Sequence, residues 1–458
     1  MARDVRLIRS PISIAGMVLT TVSAVLFLVV FIADVAGLHT NPYVGIVFLL
    51  VLPALFILGL ILIPLGAWRE RRRRARGLPA SGVAWPLIDL NEPRQRSIAV
   101  GIFALTLANI VIVSLAAYGG VEYMDSVQFC GQLCHVMRPE LMAHQASPHA
   151  QILCVDCHVG TGARSFIRSK LAGSSRVVGV TFGTYARPIV AEPEELLSAA
   201  ETCERCHWPS RPRGDSIRKV YEYADDEKNT ESATTLTLHV GSGGGIVGVP
   251  SGIHWHMNAA TVIEYVATDA ERQTIPYVRM TDNQGVVREY VAEGGNAEDF
   301  SQRPRRRMDC MDCHNRPSHA IQATPERAVN LLMTAGTIPK TLPFVHREAV
   351  KALKASHASQ DEGLREISRT MGDFYRTLPV ASDGAGGDRD RQVGRAVAGV
   401  QEIFRRSVFP EMNVSFGTYA NNIGHIDSPG CFRCHDDGHK SKDGQTIGQD
   451  CETCHSME

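Results

Sequence analysis

The sequence has no surplus of charge of either sign. Its 47 Lys and Arg residues meet 48 Asp and Glu, for a formal net charge of −1. That excludes a strongly basic face, so no nucleic acid is expected as a partner. No cysteine stands alone: all 12 fall into six close pairs. Long apolar runs are missing after position 118, because the apolar residues crowd into the first part of the chain.

Those runs are long enough to matter. Crossing a bilayer takes about 20 apolar residues, and three stretches qualify, at about 12–35, 44–68 and 97–118. A secretory signal peptide would have a shorter core and a cleavage site, whereas here a second span follows almost at once. A buried hairpin of a soluble protein rarely stays apolar on all faces over this length. Positive charge sets the orientation. Arg3, Arg6 and Arg9 precede the first span, and Arg69, Arg71–Arg74, Arg76, Arg94 and Arg96 follow the second. The loop at 38–42 has no Lys or Arg. The N-terminus and the 69–96 link are therefore expected in the cytoplasm, and everything after Tyr118 outside it. The arginine run needs no role beyond anchoring at anionic lipid.

All six cysteine pairs lie in that outer part, and each ends in Cys-His. They are Cys130/Cys134-His135, Cys154/Cys157-His158, Cys203/Cys206-His207, Cys310/Cys313-His314, Cys431/Cys434-His435 and Cys451/Cys454-His455. Structural zinc could use paired cysteines, and so could thioredoxin-like redox chemistry or disulfides. Neither explains a histidine after the second cysteine six times over. Covalent haem does: the cysteines take the vinyl groups and the next histidine stands under the iron. Five pairs have the C-x-x-C-H form of c-type haem attachment. The first has three residues between its cysteines. Six haem c groups are expected, with the first site the least regular.

An electron-carrying haem usually takes a second axial ligand. Ten more histidines follow position 118. His149, His319, His425 and His439 lie close to motifs, and His254 and His256 flank Trp255 between the third and fourth. The expected distal set is those four plus one of His254 and His256. His144, His239, His346 and His357 are read as ordinary surface or core histidines.

The rest of the outer part divides by texture. Residues 236–240, 261–267, 275–280 and 286–292 alternate or favour β-branched side chains, which predicts short strands, with a hairpin turn at 281–285. The Gly-rich stretch 240–250 reads as a mobile loop. Spacings near 3.6 predict helices at 326–335, 347–355, 362–377 and 391–409, broken at 382–388. The segments around the cysteines offer little for a side-chain core. The expected architecture is an N-terminal three-helix transmembrane anchor (1–118) and a periplasmic multihaem c-type cytochrome domain, mostly α and loop. That domain divides into a part with haems 1–3 (119–215), a small β-rich insertion (216–300) and a helical part with haems 4–6 (301–458).

Residues 122–137, EYMDSVQFCGQLCHVM, resemble the opening of NapC/NirT-type membrane-anchored multihaem cytochromes. So do SPHA at 147–150, CVDCHVG at 154–160, SKLAG at 169–173, ARPI at 186–189 and ETCERCHWP at 201–209. The likeness covers about 118–215. The tail more loosely resembles larger inner-membrane multihaem cytochromes of metal-reducing bacteria. The resemblance implies a bacterial inner-membrane protein of anaerobic respiration that takes electrons from the quinone pool. It passes them to a periplasmic carrier or reductase. It also implies that Met137, rather than His135, can hold the first iron. The longer Cys130 arm would then be absorbed by a flexible Gly131. Lys170 matches a basic residue that similar cytochromes place near the quinol. Glu122, Asp125 and Glu140 are acids close in sequence to the first motif, and Asp125 is the candidate proton acceptor. No Asp or Glu occurs between Asp156 and Glu192, so a carboxylate that relatives supply from that stretch is missing. The rival expectations are a terminal reductase with one open haem and a passive subunit of a larger respiratory complex. A homo-oligomer is a further possible assembly.

Overall fold

A computed structural model describes residues 10–35, 51–77, 90–160, 163–189, 198–208, 210–211, 214–244, 249–300, 302–379 and 386–458. The chain forms two compact units, Met1–Met124 and Asp125–Glu458.

The first unit holds three helices, α1 (Pro11–Val35), α2 (Leu52–Ala75) and α3 (Pro93–Met124). Each carries a stretch long and apolar enough to cross a membrane: Pro11–Val29, Leu52–Arg73 and Pro93–Met124. Residues 44–50 of the expected second span lie outside the described residues. α2 continues past 68 through the arginine run, because Arg and Glu are good helix formers. α3 exceeds both expected bounds and begins on a proline, whose missing N–H costs nothing at a helix start. Lipid offers no hydrophobic force between helices, so close approach through small residues must hold them together. At the α1–α2 contact a Cβ on Gly16 would stand 2.7 Å from the Gly59 carbonyl oxygen. Ser13 Oγ donates to the Ile63 carbonyl at 2.9 Å. Val18, Val22, Val25 and Leu26 are exposed on α1, a surface suited to hydrocarbon.

In the second unit the main side-chain core belongs to four helices, Pro325–Thr334, Val345–Lys354, Gln360–Thr377 and Gly386–Ser407. They follow the 3.6-residue spacing. Two start on side-chain caps: Thr324 Oγ1 accepts from Arg327 N at 3.3 Å and Ser359 Oγ from Glu362 N at 3.2 Å. Val329, Ile338, Ala349, Met371, Val400 and Phe404 are fully buried among them. No cysteine joins this core, in keeping with how little the Cys-His segments offer for one. Of the expected break, 382–385 lie outside the described residues, and 386–388 open the last helix.

The strands are β1 (Ser216–Tyr223), β2 (Glu231–Leu238), β3 (Val262–Val266), β4 (Tyr277–Thr281), β5 (Val287–Val291), β6 (Arg306–Arg307), β7 (Lys440–Ser441) and β8 (His455–Met457). They make two antiparallel sheets, β1-β2-β8 and β6-β3-β4-β5-β7. The β4–β5 turn is where expected: Asp282 Oδ1 accepts from the N–H groups of Gln284 and Val286, both at 2.9 Å. Gly285 sits there at φ +78°. β1 was not expected. The β region is also not a self-contained insertion, because β6, β7 and β8 come from the flanking Cys-His segments and complete its sheets. Two- and three-residue edge strands leave no periodicity to read, so only pairing with a distant strand defines them. Of the Gly-rich stretch, 245–248 lie outside the described residues, and at its flanks Ser242 and Ser251 exchange backbone bonds of 3.0 and 2.9 Å. A further helix, Ala163–Phe182, carries Lys170.

Candidate haem-binding sites

Each regular motif sits on one tight turn. Helical turns carry Cys154–His158, Cys203–Arg205, Cys310–Cys313, Gly430–Arg433 and Cys451–Thr453. Residues three apart on a turn share a face, which aims both sulfurs of a pair the same way. The histidine N–H then folds back to the first cysteine's carbonyl: His207 to Cys203 at 2.8 Å, His314 to Cys310 at 2.8 Å and His435 to Cys431 at 3.0 Å.

The twelve cysteines differ in exposure. Nine are half-buried, whereas Cys206, Cys431 and Cys451 are exposed. Cys206 differs from Cys431 and Cys451 in being the second cysteine of its pair, next to the histidine. It caps the turn Cys203–Arg205 and donates its N–H to the Cys203 carbonyl at 3.1 Å. Its neighbours Glu204, Arg205, His207 and Trp208 are all exposed as well, so nothing in this stretch folds over the sulfur. Of the third pair, the chain covers only Cys203.

The first motif solves its extra residue differently. Phe129–Leu133 is a π-helix. Its wider turn, closed by i→i+5 bonds, returns to the same face one residue later. Gly131 does not contribute by flexibility, which corrects the expectation. Its φ is outside the left-handed region. It is buried, and a Cβ there would lie 2.7 Å from Leu141 Cδ1 and 2.9 Å from Leu141 Cβ. Met137 is half-buried in an apolar cluster with Val136, Phe409, Met412 and Val414. The side chain of His135 lies outside the described residues.

The second histidines come from far along the chain. His207 faces His149 with ring centroids 6.0 Å apart. His158 faces His319 at 6.1 Å, His314 faces His254 at 6.4 Å and His435 faces His256 at 5.7 Å. His455 faces His425 at 6.0 Å. An iron held by two opposed imidazole nitrogens at about 2 Å each sets their centroids roughly 6.3 Å apart. All five pairs leave that gap, so the rings present fit a haem iron. Four of the rings also have Nδ1 against a backbone carbonyl, which fixes the tautomer and frees Nε2. His149 meets Pro317 O at 3.2 Å, His319 meets Glu140 O at 3.1 Å, His256 meets Ile253 O at 2.8 Å and His435 meets Gly448 O at 2.9 Å.

Two expectations about these rings need correction. Both His254 and His256 face a motif, not one of them. They lie on the 3-10 helix Ile253–Met257. With about three residues per turn, neighbours two apart point to different sides, so one serves His314 and the other His435. His439 faces no Cys-His histidine. It is 2% exposed, with Nδ1 2.8 Å from Asp436 Oδ1 and Nε2 2.7 Å from the Ile275 carbonyl. Both nitrogens lie against protein oxygens, so neither is turned toward a motif. Of the histidines read as ordinary, His144 is buried with Nε2 3.0 Å from Ile152 O, and its ring lies 6.3 Å from that of His319. His346 meets Asp225 Oδ1 at 2.7 Å and His239 meets Asp215 at 3.1 Å. His357 packs on Phe404.

The thiols show that the motifs follow one another. Cys130 is hydrogen-bonded to Cys154, which draws the Cys154 thiol down to about 7. Burial raises the Cys203 thiol, and the neighbouring Cys157 raises it further. Burial takes Cys310 up to about 11, with Cys203 adding to it. It takes Cys313 to about 11, with Cys431 adding. It raises Cys454 as well, again with Cys431 adding. Each motif thus has the next as its electrostatic neighbour, from first to last. Among the described residues no three His, Cys, Asp or Glu side chains converge to hold a bare metal ion.

Near the first motif, Asp125 is half-buried, and its charge contributes to raising the Cys130 thiol. The Lys170 side chain lies outside the described residues. Glu122 is exposed at the end of α3. Glu140 is the acid whose surroundings stand out: burial raises its carboxyl, and Oε2 has no partner. Tyr419 Oη lies 3.5 Å from Glu140 Oε1, and the Arg316 guanidinium stands 3.7 Å over the Tyr419 ring. Sequence reading missed Arg316 and Tyr419. The one local signal was that Arg316 stands two residues after His314.

Residues 92–193 match the NapC/NirT cytochrome c family, N-terminal region. The cytochrome c-type protein ImcH of Geobacter sulfurreducens is 37% identical over 457 residues, covering 98% of this chain and 88% of that protein. The cytochrome c nitrite reductase subunit NrfH of Nitratidesulfovibrio vulgaris is 32% identical over 144 residues, 31% of this chain and 86% of its own length. The cytochrome c-type protein NrfH of Wolinella succinogenes is 30% identical over 109 residues, 23% of this chain and 61% of its own length. No solved structure matches the chain.

Proposed function

The chain belongs to the NapC/NirT cytochrome c family, and from that premise we propose that it oxidises quinol at the outer face of the bacterial inner membrane. The electrons pass through six covalently bound haems to a periplasmic acceptor. The carrying observation is the continuous succession of Cys-His motifs, five of them opposed by a second histidine.

Haem c supplies reversible one-electron chemistry when bound. The chain does the rest. Twelve cysteines would fix the porphyrin edges, the exposed Cys206 together with the half-buried Cys203. His158, His207, His314, His435 and His455 hold one side of each regular site, and His319, His149, His254, His256 and His425 hold the other. Met137 or His135 serves the first motif. Backbone carbonyls meet Nδ1 of three distal rings, His149, His319 and His256, which would leave Nε2 free for an iron. A quinol releases two protons with its two electrons. Asp125, beside Cys130, is the proposed acceptor, and Lys170 the residue that draws in the quinol head group. One NrfH relative is named as a subunit of cytochrome c nitrite reductase. A periplasmic reductase or carrier is accordingly the class of acceptor proposed, with the three helices in the lipid bilayer and the N-terminus in the cytoplasm. A reductase with an open iron needs a motif without a second histidine; motifs two to six each face one, which leaves the first motif alone for such a role.

Anaerobic mixing of the oxidised, detergent-purified protein with a menaquinol analogue tests the reading. Rapid partial reduction of the haem bands is expected, and its loss on Lys170→Ala or Met137→Ala. No reduction by quinol, with full reduction by dithionite, would refute it and leave a subunit fed by another protein.

A further inference from the structure

The far end of the motif succession carries its own chemistry. Cys451 is exposed, and so is nearly everything beside it. Three large exposed apolar side chains flank His425 and His455 along the chain. Ile423 and Ile426, either side of His425, are 58% and 75% exposed, and Met457 is 64% exposed. Met457 lies two residues beyond His455 on β8, so both side chains leave the same face of that strand. Residues 443–458 contain Asp443, Asp450, Glu452 and Glu458 and no Lys or Arg. Asp450, Glu452 and Glu458 are exposed. Arg218 shares the Met457 face through the register Arg218↔Leu236↔Met457, whereas Glu458, opposite Thr235 and Lys219, leaves the other face.

We propose that this surface, with Ile423 and Ile426 flanking His425, Met457 on the His455 face, and the exposed Asp450 and Glu452 next to Cys451, docks a soluble electron carrier. The carrier presents a basic face around its own redox centre. The proposal rests on the reading that Cys451 and Cys454 hold the last haem of the succession. The patch is small, which suits a contact that forms and breaks on every turnover. Its apolar centre brings the two redox groups together, while the acids steer a basic partner and repel an acidic one. One electron leaves the reduced protein for the oxidised carrier, and no bond or proton need move.

The test uses the full-length protein in neutral detergent. It is reduced with dithionite, freed of excess reductant and mixed in stopped flow with oxidised basic mitochondrial-type cytochrome c. Starting from dithionite makes the result independent of quinol oxidation. Steering by complementary charge predicts a second-order rate that falls about tenfold or more from low to high salt. The double variant Asp450→Lys/Glu452→Lys should lower the low-salt rate by a similar factor. Asp361→Lys, a charge reversal on the helical part, should leave it unchanged. An acidic flavodoxin should be reduced more slowly than the basic cytochrome. Haem attachment is read separately by mass after digestion. No haem on Cys451 and Cys454 would overturn the proposal together with the reading beneath it. With that haem attached, a rate indifferent to salt and charge reversal, or faster reduction of the acidic carrier, would overturn the docking site alone.

Discussion

Substituting His425 and His439 separately distinguishes two histidines that look alike in sequence. Each lies within six residues of a Cys-His motif. His425 opposes His455 at 6.0 Å, whereas His439 is tied to Asp436 and the Ile275 carbonyl. His425→Ala should leave one haem without its second ligand and produce a high-spin signal in electron paramagnetic resonance, with little loss of fold. His439→Ala should produce no high-spin haem but a less stable protein. It removes the ring that lies between Asp436 Oδ1 and the Ile275 carbonyl in a nearly closed site. The cost is about 2–4 kcal/mol by the usual figures for unsatisfied buried groups and truncated buried side chains. Denaturation followed by the haem bands would measure it. The effect has a pH signature. Burial raises the Asp436 carboxyl, but donation from His439 and from the Gly438 and His439 N–H groups outweighs it, so the group lies below its ordinary 3.8. A carboxyl lowered in the fold stabilises above its unfolded pKa of about 4 and loses that contribution as pH falls through the folded value. The stability gap between wild type and His439→Ala should therefore narrow below about pH 4. High-spin haem in His439→Ala, with none in His425→Ala, would refute the reasoning.

Two further substitutions probe the motif turns. Gly131→Ala drives a Cβ into Leu141 and should destabilise the first motif by about 1–3 kcal/mol, the usual cost of overpacking. It should be seen as reduced haem occupancy at Cys130 and Cys134 in the intact mass. Asp312 lies inside the fourth motif, buried, and accepts from Tyr265 Oη at 2.5 Å, Arg306 Nε at 3.0 Å and Asp309 N at 2.8 Å, with Arg272 3.2 Å away. Asp312→Asn leaves two guanidinium groups without their shared anion. It should cost about 3–5 kcal/mol, seen as a lower denaturation midpoint with fewer haems on Cys310 and Cys313.

The chain's chemistry was legible before any fold. Six Cys-His pairs point to haem wherever the chain places them, because attachment needs only neighbours in sequence. The apolar runs and the helices at 325–407 were equally plain, since their burial patterns are local and periodic. The exact second ligands were not legible. His149 reaches the third motif and His319 the second, so the histidine nearest a motif in sequence is not its partner in space. The two histidines around Trp255 part company because a 3-10 turn sends them to different sides. His439, well placed in sequence, was claimed instead by Asp436 and a strand carbonyl. Nor does spacing tell an exposed sulfur such as Cys206 from a half-buried one such as Cys203, since cover comes from what packs on the turn. The sheets were half visible: strands with alternation could be read, but two- and three-residue edges from the Cys-His segments exist only through pairing with strands far along the chain. Local spacing thus determined what each motif can bind. Tertiary structure alone decided which histidine faces each motif and which motifs are neighbours, because both depend on contacts between residues distant in sequence.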